Sequence, residues 1–350
     1  MRTTSSSISS SDRAAAPWRA WRRFCVVLVA GATGLLAAIL VAAYAVDPYD
    51  TGRSGLFAKA GVRPQGPRTA AASRGRDPRF TGAVFGNSHI QLVSPERLRE
   101  ATGIPFVQLS IPGTGPKEQL TLIDWFLRQH DGRARALVLA LDGLWCTPDP
   151  EMPNEKPFPF WLFSRNPLEY ARGLLRYDVL EEVPRRVRYV LDRNPRQAPP
   201  DGYWDYEPNY IRLGYLDNPE ARARFERAAG GGLLPNPELR FPAADKLEAL
   251  LAGLPPDLSV VLVFPPAYVA HLPQPGSPAA EVDRACKAAF ARAARAHPGV
   301  GVIDWRLERA ETRDPALFFD QTHYRHPLAR ALERDIADVI GRTTAEGRAP

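Results

Sequence analysis

Cysteine is scarce in this sequence, and its spacing gives no zinc-type metal site. Only three cysteines occur in 350 residues, at positions 25, 146 and 286, and no short-spaced cysteine and histidine ligand set is present. Cys146 and Cys286 could pair in an oxidising compartment. The sequence leaves that pairing open, and we expect two buried free thiols. We predict neither a bound metal nor a cofactor.

The chain also lacks the charge pattern of a nucleic-acid-binding protein. Its formal net charge is +6, but residues 1–23 hold five arginines and one aspartate, a net +4. The rest of the chain therefore carries only +2 of the +6. No basic stripe interleaved with aromatic residues occurs there. We expect no nucleic-acid partner.

Charge is absent altogether from residues 24–46. These 23 residues would span ~34 Å as a helix, enough to cross the hydrocarbon core of a bilayer. Three arginines precede the run and two aspartates follow it closely, so the positive-inside rule places residues 1–23 in the cytoplasm as a basic tail. We predict a single-pass membrane anchor with the rest of the chain on the far side. A signal peptide cleaved near residues 43–45 is the alternative.

Strands and helices alternate along most of the remaining chain. Residues 47–79 have no regular period and are predicted to be a linker. Short apolar runs predict strands near residues 83, 106, 138, 261 and 302, and amphipathic segments between them predict helices. Residues 146–240 interrupt this alternation, and we expect a largely helical or irregular insertion that covers part of the site. The pattern predicts a three-layer α/β/α domain over residues 80–345, with a mostly parallel, flavodoxin-like sheet of about five strands.

Side chains that could carry chemistry follow the predicted strands. Ser88 lies just past the first strand, Gly113 past the second and Asp142 past the third. Asp320 and His323 follow the last strand after a longer loop. The carboxyl ends of parallel strands share one edge of the sheet, where ligands bind. A serine, a histidine and an acid at one edge are the components of an activated nucleophile.

These segments resemble the sequence blocks of the SGNH (GDSL-type) hydrolases. Gly86-Asn87-Ser88 is similar to the first block, with asparagine in place of the usual aspartate. Residues 108–115 are similar to the second block, and Asp320-Gln321-Thr322-His323 matches the closing Asp-x-x-His. The resemblance covers about residues 80–145 and 240–340.

The resemblance implies a Ser-His-Asp triad. Ser88 would be the nucleophile, His323 the general base and Asp320 the group that orients the base. The N–H groups of Ser88 and Gly113 would bind the oxyanion of the tetrahedral intermediate.

The third block departs from the family pattern. Leu141 stands where the family has an asparagine that donates to the oxyanion. Losing such a donor costs about 3 kcal/mol of transition-state stabilisation unless another amide, from Asn87 or Asn209, replaces it. Asp142, Asn209 and Arg325 are our candidates for substrate contacts.

Among SGNH-like proteins, the chain is most similar to membrane-anchored proteins of bacterial envelopes, which share one N-terminal span and a His-Tyr-Arg ending like residues 323–325. This resemblance implies O-acylation of an envelope polysaccharide at the bacterial inner membrane, with a periplasmic domain and a multi-span acyltransferase as partner. Our first hypothesis is a serine-dependent O-acyltransferase or acyl esterase. A non-catalytic glycan-binding or assembly subunit is the second, because of Leu141. An envelope lipid esterase is the third, because of the anchor.

Overall fold

The computed structural model describes residues 12–57, 59–151, 156–227 and 232–346, and it is organised around one sheet. The sheet has five strands, every pairing is parallel, and the strand order is β2-β1-β3-β4-β5. The strands are β1 (Gly82–Phe85), β2 (Phe106–Gln108), β3 (Ala136–Ala140), β4 (Ser259–Phe264) and β5 (Val300–Asp304). The predicted fold class is confirmed, and this order is that of the flavodoxin type.

Helices precede, connect and cover the strands. Their bounds are α1 (Asp12–Val46), α2 (Pro67–Gly75), α3 (Pro95–Thr102), α4 (Pro116–His130), α5 (Phe160–Phe163), α6 (Pro167–Leu174), α7 (Tyr177–Val190), α8 (Glu207–Arg212), α9 (Pro219–Phe225), α10 (Pro242–Ala252), α11 (Pro278–Ala293), α12 (Ala310–Arg313) and α13 (His326–Glu346). Helices α5 to α9 lie in the stretch that we expected to be an insertion.

The local sequence sets the bounds of these helices, as α3 illustrates. Ser94 caps its first turn by accepting a hydrogen bond from the backbone N–H of Arg97. Pro95 follows at the first helical position, where its missing N–H costs nothing. Gly103 ends the helix at a φ of 70°, a left-handed conformation that glycine adopts without strain.

The two faces of the sheet are covered by different helices. Strands β1 to β4 are buried along their whole length. On β3, Leu137 and Leu139 join a core cluster with residues of α4, α10 and α11, whereas Ala136 and Val138 join a second cluster with residues of α3 and α13. This alternation gives the three layers, and it explains why the strand sequences are continuous apolar runs.

Helix α1 is long and apolar enough to cross a membrane. The qualifying stretch, Trp18–Val46, has 29 residues and a mean hydropathy of 2.6. Its C-terminal end is not isolated from the domain, because Ala43 and Val46 are buried.

Residues 47–79, which we expected to be a linker, instead pack against the domain. They contain α2, whose Ala70, Ala71 and Ala72 are buried. The small side chains let α2 lie close to α4, where Trp125 Nε1 donates to the carbonyl of Ala72 at 3.1 Å. An alanine-rich composition resembles that of a linker, but here it permits close helix packing.

Cys146 and Cys286 form a disulfide, so the expectation of two free thiols is wrong. The bond joins a 3₁₀ turn after β3, Gly143–Cys146, to α11. Because 140 residues separate the two cysteines, their spacing held no information on their proximity.

Removing this disulfide should destabilise the domain strongly. A cross-link that closes so long a loop restricts the unfolded chain, and about 3–5 kcal/mol of the free energy of unfolding should be lost in the double variant C146A/C286A. Urea unfolding of the full chain in detergent, without reductant, measures this loss. Cys25→Ala is the matched control, since Cys25 is an unpaired, exposed cysteine. Equal unfolding free energies for the double variant and the wild type would contradict the stabilising role.

Candidate active site

The turn after β1 places Ser88 at the carboxyl edge of the sheet. Gly86 has a φ of 151°, and an added Cβ there would lie 2.7 Å from Ile90 and 2.8 Å from Ala140. Only glycine fits such a position. The chain then enters a 3₁₀ turn, Ser88–Ile90, which the side chain of Asn87 caps. Ser88 therefore begins a tightly fixed turn and is half-buried.

A side-chain hydrogen bond joins the loops that follow β1 and β3. Asn87 Nδ2 donates to Asp142 Oδ2, and Asp142 Oδ1 accepts a second hydrogen bond from the N–H of Leu144 at 2.9 Å. The winding of the chain reverses between β1 and β3, and ligands bind at such switch points. Burial raises the pKa of Asp142 to about 6, with its backbone hydrogen bonds opposing the rise. Asp142 thus lies at the predicted edge, but it holds the Ser88 turn in place.

The loop after β2 is tied to the same edge. The N–H of Ile111 donates to the carbonyl of Gly86 at 2.9 Å, and Thr114 Oγ1 donates to that carbonyl at 3.3 Å. Gly113 lies between these two anchors with a φ of 67°. The turn that carries Gly113 is therefore held beside the turn that carries Ser88.

Asp320 and His323 lie in one tight loop near the C-terminus. The N–H groups of Thr322 and His323 both donate to Asp320 Oδ1 at 2.9 Å. The ring atom Nδ1 of His323 is 2.8 Å from Asp320 Oδ2. The N–H of Phe319 donates back to the carbonyl of His323 at 2.8 Å, which closes the loop.

This geometry fixes the charge of the acid and the tautomer of the base. Burial alone would raise the pKa of Asp320, but its hydrogen bonds and its attraction to His323 outweigh burial and lower that pKa to about 2. Asp320 therefore stays ionised and accepts a hydrogen bond from Nδ1–H of His323. Nε2 of His323 is then left as the proton acceptor.

His89 connects the Ser88 turn with the Asp320–His323 pair. The rings of His89 and His323 are 5.6 Å apart between centroids and nearly perpendicular. Burial, followed by repulsion from His323 and His271, lowers the pKa of His89 to about 3, so it is neutral at ordinary pH. Because Ser88 directly precedes His89, the predicted nucleophile and base lie at the same edge.

No hydrogen bond joins Ser88 Oγ to His323 in the part of the chain that the structure describes. The side-chain hydrogen bonds of His323 run instead to Asp320 and Thr322. Catalytic hydrogen bonds are often long in free enzymes and tighten when substrate binds.

The candidates for a replacement oxyanion donor have other partners. Leu141 is buried in the core and has no polar side-chain atom. The amide of Asn87 donates to Asp142. Asn209 lies on α8, where its side-chain oxygen accepts from Arg212. The structure therefore places Asn87 at the edge with Ser88, and among the described residues Asn209 has no hydrogen bond with Ser88 or His323.

Arg325 has partners that account for its position. Its guanidinium lies 3.1 Å from Glu207 on α8 and donates to the carbonyl of Ala316 at 3.0 Å. These contacts hold the loop of Asp320 and His323 to the insertion. A contact between Arg325 and substrate stays a prediction.

Two tyrosines of the insertion, Tyr206 and Tyr210, form a wall against His323. They belong to an aromatic cluster whose sequence fits either a sugar-stacking platform or the core of the insertion. The ring centroids of Tyr206 and Tyr210 are 5.7 Å and 5.3 Å from that of His323. Tyr206 also donates its hydroxyl to the carbonyl of Tyr324 at 2.8 Å. The aromatic residues around position 206 were a visible signal, but nothing in the sequence linked them to a loop more than a hundred residues away.

A cavity of about 400 Å³ opens beside the acid. Its lining residues are Tyr215, Phe225, His271, Phe319, Asp320, Gln321 and Thr322. His271 was also missed from the sequence; its Nδ1 lies 3.4 Å from the side-chain oxygen of Gln321. A larger groove of about 690 Å³ lies between residues 233–239 and the start of α11, and it holds none of the predicted catalytic residues.

A buried arginine, Arg306, holds two of the loops at this edge of the sheet together. Arg306 follows β5, pairs with Asp283 at 2.7 Å and donates to the carbonyl of Leu141 at 3.2 Å. It thereby links the loops after β3 and β5. Its position just past a strand was the only sequence signal for this role.

Comparison with known proteins assigns no family. No protein-family model matches the chain, and no curated protein matches it. The described residues also contain no group of three or more potential metal-ligating side chains. The absence of a metal and a cofactor stays a prediction.

The raised pKa of Asp142 should make stability depend on pH. Its ordinary value is 3.8 and its value in the fold is about 6, so between these values the unfolded chain loses its proton first. The free energy of unfolding of the wild type should therefore fall, relative to that of Asp142→Asn, as the pH rises from 4 to 6. Above pH 7 the difference between the two free energies should be constant. The change should be about 3 kcal/mol at most, since one pKa unit corresponds to about 1.4 kcal/mol.

Urea unfolding of both proteins across this pH range is the measurement. Asp257→Asn, at an exposed position, is the control for a general effect of removing a carboxylate. If the difference in the free energy of unfolding between the wild type and Asp142→Asn does not vary with pH, the fold does not raise the pKa of Asp142.

Proposed function

We propose that this protein is a serine-dependent O-acyltransferase or acyl esterase of the SGNH type. One observation carries the proposal: Asp320 accepts the Nδ1 hydrogen bond of His323 at 2.8 Å at the edge where Ser88 follows β1. The 5.6 Å separation of the His89 and His323 rings supports the pairing of the base with the Ser88 turn. A serine next to an oriented histidine is the arrangement that activates a hydroxyl nucleophile.

The first half of the reaction transfers the acyl group to the protein. Ser88 Oγ attacks the acyl carbonyl carbon while its proton moves to Nε2 of His323. Asp320 stabilises the imidazolium that forms. The N–H groups of Ser88 and Gly113 are the proposed donors to the oxyanion. When the tetrahedral intermediate collapses, the C–O bond to the leaving group breaks and His323 protonates the departing alkoxide.

The second half regenerates the serine. A hydroxyl of the acceptor gives its proton to His323 and attacks the acyl-serine, and the proton then returns to Ser88 Oγ. With a sugar hydroxyl as acceptor the product is an O-acylated polysaccharide, and with water it is a free acid. The cavity that Asp320 and Thr322 line, next to the loop position of His323, is the space that we propose for the acceptor.

The proposed location is the periplasmic side of a bacterial inner membrane. The apolar helix α1 supports a membrane anchor, and the arginines that precede it support a cytoplasmic N-terminus. The Cys146–Cys286 disulfide is of the kind that persists in oxidising compartments. An envelope polysaccharide is the proposed acceptor, and a multi-span membrane acyltransferase is the proposed source of acyl groups.

One observation favours a second function. Leu141 is buried and apolar at the position where the SGNH resemblance calls for a donor to the oxyanion. A domain with this fold and a weakened oxyanion site would bind glycan without turning over an ester. Labelling of Ser88 by an active-site probe distinguishes this non-catalytic function from the catalytic one.

Ser88 should react covalently with a fluorophosphonate probe. Phosphonylation requires the same activated hydroxyl as acyl transfer, so Ser88→Ala and His323→Ala should abolish labelling and Asp320→Asn should slow it. Ser277→Ala is the matched control, because Ser277 caps α11 and is not one of the predicted catalytic residues. Mass spectrometry of the labelled peptide identifies the site. A wild-type protein that binds glycan but is not labelled would establish the non-catalytic alternative.

Turnover should depend on the same residues. The wild type should hydrolyse 4-nitrophenyl acetate, and Ser88→Ala should reduce kcat by ~10⁴-fold or more, since triad members act as a unit. His323→Ala should reduce it about as much. An unchanged rate in Ser88→Ala would remove the proposed mechanism.

A further inference from the structure

We propose that α6 and α7 dock on the outer surface of the bilayer that α1 crosses, so that the protein contacts the membrane with a surface as well as a span. The docking face is the exposed apolar set Leu168, Leu175, Tyr177 and Leu180. The proposal rests on α1 being a membrane span, and it is independent of the chemistry proposed for Ser88.

The depth of α6 along α1 is the first argument. A groove of about 460 Å³ between the two helices is lined by Leu40, Val41 and Tyr44 on one side and by Pro167, Ala171 and Leu174 among others on the opposite side. Leu40 is six residues before the end of the apolar stretch at Val46, which is about 9 Å of helix. Helix α6 therefore lies beside the last turns of the span, at the level where lipid headgroups meet acyl chains.

The exposure of apolar side chains at this place is the second argument. Leu168 is 67% exposed and Tyr177 is 77% exposed, and Leu175 and Leu180 are each 36% exposed. Leu168 lies in the first turn of α6 and Leu175 is the C-cap of that helix. Their spacing of seven residues, about two helical turns, puts them on the same side. Exposed apolar side chains on helices beside a membrane span are suited to contact with lipid. Tyrosine is also enriched at the bilayer interface.

Arginine side chains near the docking face are suited to contact with the phosphate groups of lipids. Arg172 is exposed and lies four residues from Leu168 and three from Leu175. Arg176 is exposed at the start of α7 and forms an ion pair with Asp178 at 3.2 Å. Arginine next to inserted apolar residues contacts lipid phosphate without displacing the apolar side chains.

The junction between α1 and the docking face is rigid, which is the third argument. Asp47, the first residue after α1, accepts hydrogen bonds from the N–H and the hydroxyl of Thr51, both at 2.9 Å. Tyr44 donates its hydroxyl to the carbonyl of Arg53 at 2.7 Å. The guanidinium of Arg53 lies 4.0 Å over the ring of Tyr170 on α6. Because α1 and α6 are fixed to each other, insertion of α1 into the bilayer brings α6 into contact with the membrane surface.

This docking has a functional consequence. A domain held by one flexible tether would rotate freely above the bilayer. A domain held by α1 and by the docking face keeps one orientation, so the active-site edge stays at a fixed height above the membrane.

The test uses site-directed fluorescence in the full chain. In a Cys25→Ser background, Leu168→Cys or Tyr177→Cys is labelled with an NBD fluorophore, and the protein is reconstituted into vesicles of phosphatidylethanolamine and phosphatidylglycerol. Leu213→Cys, at an exposed apolar position outside the docking face, is the matched control. The fraction of fluorescence lost to lipids that carry a spin label near the headgroup is measured at each position.

We expect blue-shifted emission and strong quenching by spin-labelled lipid at positions 168 and 177, and neither at position 213. Equal thermal midpoints of the three labelled proteins in detergent show that the substitutions leave the fold intact. No lipid quenching at 168 and 177 would overturn the proposal. A blue shift without lipid quenching would also overturn it, because a second copy or another protein would then cover the face.

Discussion

The hydrogen bond between Asp320 and Nδ1 of His323 is the interaction on which the proposed chemistry depends. An imidazole without it could present either nitrogen as the proton acceptor. Backbone N–H groups of the same loop donate to the carboxylate of Asp320 and hold it in the position that orients the ring of His323. An antiparallel bridge between Phe318 and Tyr324 closes the loop. The hydroxyl of Tyr206 then ties it to the insertion, so the insertion contributes to the geometry of the base.

The opposite half of the site depends on the sheet. Parallel strands bring their carboxyl ends together, and the reversal of winding between β1 and β3 leaves a crevice there. The bond from Asn87 to Asp142 spans that crevice and fixes the turn that begins with Ser88. Burying Asp142 costs stability because its charge is removed from water. The hydrogen bond from Asn87 to Asp142, which positions the Ser88 turn, is therefore made at a cost in stability.

Much of the scaffold follows from local sequence, because period, capping and apolar runs are local properties. Each of the five strands contains the position near which its apolar run predicted it, at residues 83, 106, 138, 261 and 302. The convergence of Ser88, Gly113 and Asp142 on one edge follows from strand polarity. Features that depend on distant contacts were missed or wrong: the disulfide of Cys146 with Cys286, and the tyrosine wall on His323. The packing of Ala70–Ala72 against α4 was hidden by a composition that also suits linkers.

The most direct test of the central claim is a crystal structure of the domain after reaction with a fluorophosphonate. The account predicts a covalent bond from phosphorus to Ser88 Oγ, with Nε2 of His323 within hydrogen-bond distance of the adduct and Asp320 still bound to Nδ1. The phosphoryl oxygen should point to the N–H groups of Ser88 and Gly113. An adduct on another residue, or a His323 ring remote from the phosphonylated serine, would contradict the proposal that these residues form one catalytic unit.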